Sequence, residues 1–180
     1  MAICNPTGSL SVTIREEIRL PNGNMEQSIN TEIIKDVNQI MKRTDTIAST
    51  FSGSGIEILR FVDSEEQQTA GSFVRDTVKY MRFTNLCSTN FISLYLIQDS
   101  PEAQAPNTNN VGSGDESLFK LDAGKSIVFS NAQIQGTDYY DYVVEGYVDI
   151  QYFSSFASLS SIKAKADTAN VQIEYFVASS

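Results

Sequence analysis

Few side chains in this chain have the chemistry to react. Cys4 and Cys87 are the only thiols, and there is no histidine and no tryptophan. Without histidine a Ser-His-Asp or Cys-His arrangement cannot be built, and the usual proton carrier near neutral pH is missing. Zinc would need histidine or further cysteines and is excluded. Ala123-Gly124-Lys125-Ser126 has the look of the end of a phosphate-binding loop. That motif requires a glycine where Phe119 stands, and a helix where Ile127-Val128-Phe129 reads as strand. A plain turn between two strands is the better reading. Gly53-Ser54-Gly55 and Gly112-Ser113-Gly114 are read as turns too, because neither opens a helix in a βαβ unit.

Carboxylates remain. An acid–base pair of the glycosidase kind needs no histidine and stays open on residue type alone. Such sites usually carry a tryptophan platform, which this chain lacks. Asp63/Glu65/Glu66, Asp115/Glu116 and Asp138/Asp141 gather oxygen ligands suited to calcium, yet none has EF-hand spacing. Solvated acidic loops are the plainer reading. Asn5-Pro6-Thr7 fails as a glycosylation acceptor because proline occupies its middle position. The chain is therefore expected to have no catalytic residues, no metal and no cofactor, and it is not read as an enzyme.

The elements that would carry any binding surface read as β. Leu10, Val12, Ile14, Ile18 and Leu20 fall on even positions, and Met25, Ile29 and Ile33 on odd ones. Between them Pro21-Asn22-Gly23-Asn24 supplies turn chemistry, so the two runs predict a hairpin. Further strands are expected over 37–50, 56–62, 73–83, 91–97, 117–121, 127–134 and 171–177. The 73–83 strand is read as long and unbroken, and 91–97 as a central strand covered on both faces. Asp63 to Ser72 is read as an acidic loop and Thr84 to Asn90 as a turn. Ser100 to Glu116, with two prolines and several Asn and Gly, is a long polar loop of the kind that is usually functional or disordered. Many short strands with little helical signal predict an all-β fold: an antiparallel β-sandwich, jelly-roll-like, with long polar loops. Residues 1–9 are expected to form a flexible N-terminal arm and 10–180 a single sandwich domain. A chain of 180 residues can bury roughly 70% of its unfolded surface without disulfide or metal.

Charge narrows the partners. The net charge is −9, and Lys and Arg are scattered, which argues against nucleic acid. Charged residues make up 19% of the chain, below the roughly 25% of typical soluble domains. Ser, Thr, Asn and Gln take the solvated surface instead, and these groups cost less to desolvate than charges. No apolar run approaches the roughly 18 residues of a membrane span, and no signal peptide is visible. A soluble protein made in a cytoplasm, with both thiols reduced, is expected. The densest aromatic stretch holds Tyr139, Tyr140, Tyr142, Tyr147, Tyr152 and Phe153, and these are the candidate interface residues.

Four segments carry a resemblance. They are Tyr80-Met81-Arg82-Phe83-Thr84-Asn85-Leu86, Asn90-Phe91-Ile92-Ser93-Leu94, Phe119 to Ser126, and Ala164 to Val177. Together they resemble the small β-rich virion proteins of marine tailed bacteriophages, cyanophages among them. The resemblance implies a structural role in the particle, with no catalytic residues to carry over. A capsid decoration or cement protein is the expectation. Its partners would be the major capsid protein or other virion proteins, and it would form a homo-oligomer such as a trimer. Its location would be the virion, after assembly in the host cytoplasm. A tail, neck or fibre component has the same sequence requirements, and a carbohydrate-binding module is a third alternative.

Overall fold

The computed structural model describes residues 8–19, 25–49, 55–98, 116–130, 156 and 159–180, with the backbone alone described at 16–19, 25 and 26. The strands are β1 Gly8–Arg19, β2 Met25–Val37, β3 Gln39–Ile47, β4 Ile56–Val62, β5 Ser72–Val74, β6 Val78–Asn85, β7 Ile92–Gln98, β8 Glu116–Leu121, β9 Ser126–Ser130, β10 Leu159–Ala166 and β11 Val171–Ser179. The described residues include no α-helix, only two short 3₁₀ turns at Glu65–Gln67 and Arg75–Thr77.

Two sheets make the body, ordered β3-β11-β6-β9 and β5-β4-β10-β7-β8. Leave out the short parallel edge strand β5 and number the rest from β3 in chain order. One sheet then runs first-eighth-third-sixth, and the other second-seventh-fourth-fifth. That is the double Greek key of a jelly roll. The fold is thus an all-β antiparallel sandwich. Period-two patterning drives it: β6 and β10 alternate buried and half-buried positions, and the odd residues of β11 face inward while Gln172 and Glu174 do not. Between the sheets lie Phe83, Tyr175, Leu94, Leu96, Ile162 and Phe73 with their neighbours. Phe83 stacks on Tyr175 with ring centroids 6.3 Å apart and meets Phe129 edge-on at 6.2 Å.

The structure corrects three expectations. The 73–83 segment is two strands, because the 3₁₀ turn at Arg75–Thr77 moves the chain from one sheet to the other. β7 buries only one face fully among the described residues: Ile92, Leu94, Leu96 and Gln98 are buried, while Ser93, Tyr95 and Ile97 are part-exposed. β10, central to its sheet, was not anticipated. Its Ile-Lys-Ala-Lys-Ala core combines small inward residues with solvent-facing lysines, and Ala and Lys favour helix in isolation. The predicted turn at Asp122–Lys125 is present, with Gly124 at φ 67° and Lys125 N–H donating to the Asp122 carbonyl at 3.1 Å.

β1 and β2 pair as predicted, but as a two-stranded sheet of their own. At its base Gly8 stands opposite Val37 and Ser9 opposite Lys35, so Asp36 is an extra residue in a β-bulge. Asp36 adopts φ 59°, the sole left-handed non-glycine among the described residues. Bulges of this kind bend the strand that carries them. Asn38 alone then links β2 to β3, its N–H donating to the Ser179 carbonyl at 2.9 Å. The ribbon therefore leaves edge strand β3 and turns back across the outside of the β3-β11-β6-β9 sheet.

Candidate interaction surface

Tyr139, Tyr140, Tyr142, Tyr147, Tyr152 and Phe153 lie outside the described residues, as do Cys4 and residues 100–115 of the polar loop. The described surface centres on the ribbon and the sheet beneath it.

Ala178, Tyr80 and Ser130 form one cross-strand row on the outer face of the four-stranded sheet. The ribbon crosses this row. Ile34 and Val37 bury themselves against Tyr80 and Ala178, with Leu10, Val12, Val128 and Phe176 packed around them. Tyr80 meets Phe176 edge-on at 5.9 Å, and burial pushes its phenol above the ordinary value. Two polar contacts fix the crossing: Lys79 Nζ donates to the Lys35 carbonyl at 3.0 Å, and Ser130 Oγ donates to Glu32 Oε1 at 3.3 Å. Past the row, a cleft lined by Val12, Ile14, Asn30, Glu32, Tyr80, Val128 and Ser130 encloses about 20 Å³. That space admits one water and no organic ligand.

Among the described residues nothing packs on the ribbon's other face. In its register Ser11 opposes Ile33, Thr13 opposes Thr31 and Arg15 opposes Ile29, so Ile29 and Ile33 point away from the sheet. They are 61% and 62% exposed. Between them Thr13 and Thr31 share a hydroxyl hydrogen bond at 3.1 Å. Beside the ribbon on the sheet surface, Glu174 takes Lys42 Nζ at 3.0 Å and Arg82 at 2.9 Å. The Lys42 hydrogen bond, with Arg82 behind it, holds the Glu174 carboxyl below its usual range.

The other polar clusters do structural tasks. Asn85 is fully buried, its Nδ2 donating to the carbonyls of Asn90 at 2.8 Å and Leu121 at 3.0 Å, while Oδ1 accepts from Cys87 N–H at 2.9 Å. Tyr175 Oη donates to Asp45 Oδ2 at 2.5 Å, and burial together with that carboxylate raises its pKa. Cys87 has a free thiol whose pKa falls to about 7, because the N–H groups of Thr89 and Asn90 favour the thiolate. Its hydrogen-bond partners, the Thr89 hydroxyl and Asn90 N–H, are not proton acceptors near neutral pH. Asp63 is occupied by Arg75 at 3.0 Å, and no cluster of three or more metal-ligating side chains occurs among the described residues. Nor is any helix there long and apolar enough to cross a membrane. The described surface offers exposed apolar side chains such as Ile29 and Ile33 beside hydrogen-bonding hydroxyls such as Thr13 and Thr31.

No family model matches the chain, and neither curated protein sequences nor solved structures show significant similarity to it.

Proposed function

We propose that this protein is a non-catalytic structural component of a phage particle, a capsid decoration or cement protein that binds across joints between capsid subunits. One observation carries the reading: a jelly-roll body bears a long apolar ribbon on its outside, and the ribbon's outward stripe of Ile29 and Ile33 has no cover among the described residues. Jelly rolls recur in shell-forming and lectin proteins, so the fold alone supports this by analogy. The resemblance of the 80–86, 90–94, 119–126 and 164–177 segments to virion proteins of marine tailed phages supports it independently. The partner would be the major capsid protein, with further copies of this chain as neighbours.

A stable joint needs about 1,600 Å² of buried surface, and repetition around a lattice multiplies a modest single-site affinity. The tyrosine stretch is the second proposed contact. Replacing Tyr139, Tyr140 and Tyr142 with Ser is expected to leave the isolated protein folded and to lower its occupancy on particles, counted by cryo-microscopy. Undiminished occupancy would remove that stretch from the contact. Copies confined to the portal or tail, instead of spread over the shell, would replace decoration by a tail, neck or fibre role.

A further inference from the structure

The ribbon poses a physical problem. Two-stranded sheets alone are marginal in water, and this one has strands of 12 and 13 residues. Leu10, Val12, Ile34 and Val37 pack against the body, Glu32 and Lys35 hydrogen-bond to it, and Ile14 and Asn30 only line the cleft beyond. The ribbon backbone continues to Arg19 and back from Met25. Among the described residues neither long edge pairs with a further strand, and an open edge is the usual template for another chain.

The hinge is equally unusual. Between a strand that pairs only with the ribbon and a strand that pairs only with the body stands Asn38, one residue after the bulge at Asp36. Left-handed backbone is unfavourable for a residue with a Cβ, although aspartate tolerates it better than most. Letting residues 36–38 extend would release that conformation and merge β2 with β3 into one long strand. The platform of Tyr80, Ala178, Val128 and Phe176 would then be uncovered, and every copy of the chain carries a ribbon that fits it.

From this we infer that the ribbon is an exchange arm: in the assembled form, β1 and β2 of one copy dock on the Ala178-Tyr80-Ser130 row of a second copy. The occupant of the platform is thus a second copy of this chain. Short, conformationally loaded hinges are the usual setting for such exchange. This inference does not depend on the particle role, since it concerns the purified protein alone.

The test uses the contact between Glu32 and Ser130. In a Cys4→Ser, Cys87→Ser background, one copy carries Glu32→Cys and a differently tagged copy carries Ser130→Cys. The two are co-expressed, purified through both tags and treated with a short bis-maleimide. Exchange predicts a covalent product containing both tags. Separately, Asp36→Gly and Asp36→Val are compared by sedimentation equilibrium. Both remove the aspartate side chain, but valine resists the left-handed hinge and glycine accepts it. Association of the valine variant is expected to be tighter by roughly five- to thirtyfold. A strictly monomeric wild-type protein, absence of any covalent product containing both tags, or equal association of the two hinge variants would each overturn the exchange arm.

Discussion

Asn85 offers the sharpest test of how the sandwich is held closed. Its fully buried side chain ends β6, ties the Leu86–Asn90 turn to itself through Cys87 N–H and the Asn90 carbonyl, and reaches the Leu121 carbonyl at the end of β8. Asn85→Ala removes three hydrogen bonds and strands a donor and two acceptors. At about 1 kcal/mol for each lost bond, plus desolvation of whichever groups stay dry, the cost is roughly 2–4 kcal/mol. With a urea slope near 2 kcal/mol per molar, the unfolding midpoint falls by roughly 1–2 M with the slope unchanged. Asn85→Asp keeps the shape and the Cys87 contact but turns an acceptor toward two carbonyls. Burial raises that carboxyl's folded pKa above its unfolded value of about 3.9. The variant should therefore be most stable below about pH 4 and lose ground as pH rises through the folded pKa. A second reading comes from Cys87, whose pKa of about 7 depends on N–H groups in the same turn. In Asn85→Ala the alkylation midpoint should climb toward the ordinary thiol value. A urea midpoint moved by less than about 0.3 M, with thiol titration unchanged, would refute the idea that this side chain clamps the turn.

Tyr175→Phe loses the hydrogen bond to Asp45 and should cost about 1–3 kcal/mol by urea titration. Because folding raises the Tyr175 pKa, the wild-type advantage is complete below the unfolded tyrosine value of about 10 and shrinks above it, which alkaline denaturation of the pair would show. Gly55→Ala should destabilise by more than about 2 kcal/mol, since φ is 85° and a Cβ would come within 2.2 Å of the Ala164 carbonyl oxygen. Gly71→Ala, at φ 89° but with open space, should lose only the backbone share of about 1–2 kcal/mol, and equal losses at the two sites would refute the steric part.

The sandwich was legible where alternation was strong. Val171-Gln172-Ile173-Glu174-Tyr175 places its odd residues in the core as its pattern requires. It was least legible where small or charged residues form a central strand, as in Ile162 to Ala166, because packing there is decided by the neighbours on either side. The ribbon shows a subtler limit. A four-residue turn at 21–24 would pair Leu20 with Met25 and put both apolar runs on one face. The observed register pairs Arg19 with Met25. That single-residue difference sends Ile29 and Ile33 to the face opposite Leu10 and Val12. Alternation reveals two stripes but leaves open whether they coincide, and only the pairing settles it. No sequence signal marked Asp36 as a bulge, since glycine is the usual occupant of a left-handed position.

The energetics of the ribbon tie the exchange arm to the proposed particle role. The body's main core uses residues from β3 onward, whereas the ribbon contributes to a separate small cluster with Tyr80 and Ala178. Moving the ribbon to a neighbouring copy recovers each of those contacts, so contact energy scarcely discriminates between the two arrangements. Hinge conformation and concentration then decide. Dilute chains favour docking at home, where the platform is always adjacent. Copies fixed side by side on a lattice meet one another at effective concentrations of about millimolar, set by their spacing. Under that condition a hinge bias of one or two kcal/mol is enough to shift most arms outward, by roughly tenfold per 1.4 kcal/mol. An arm of this kind would exchange among free copies at high concentration, and do so more completely once a shell has brought neighbours together.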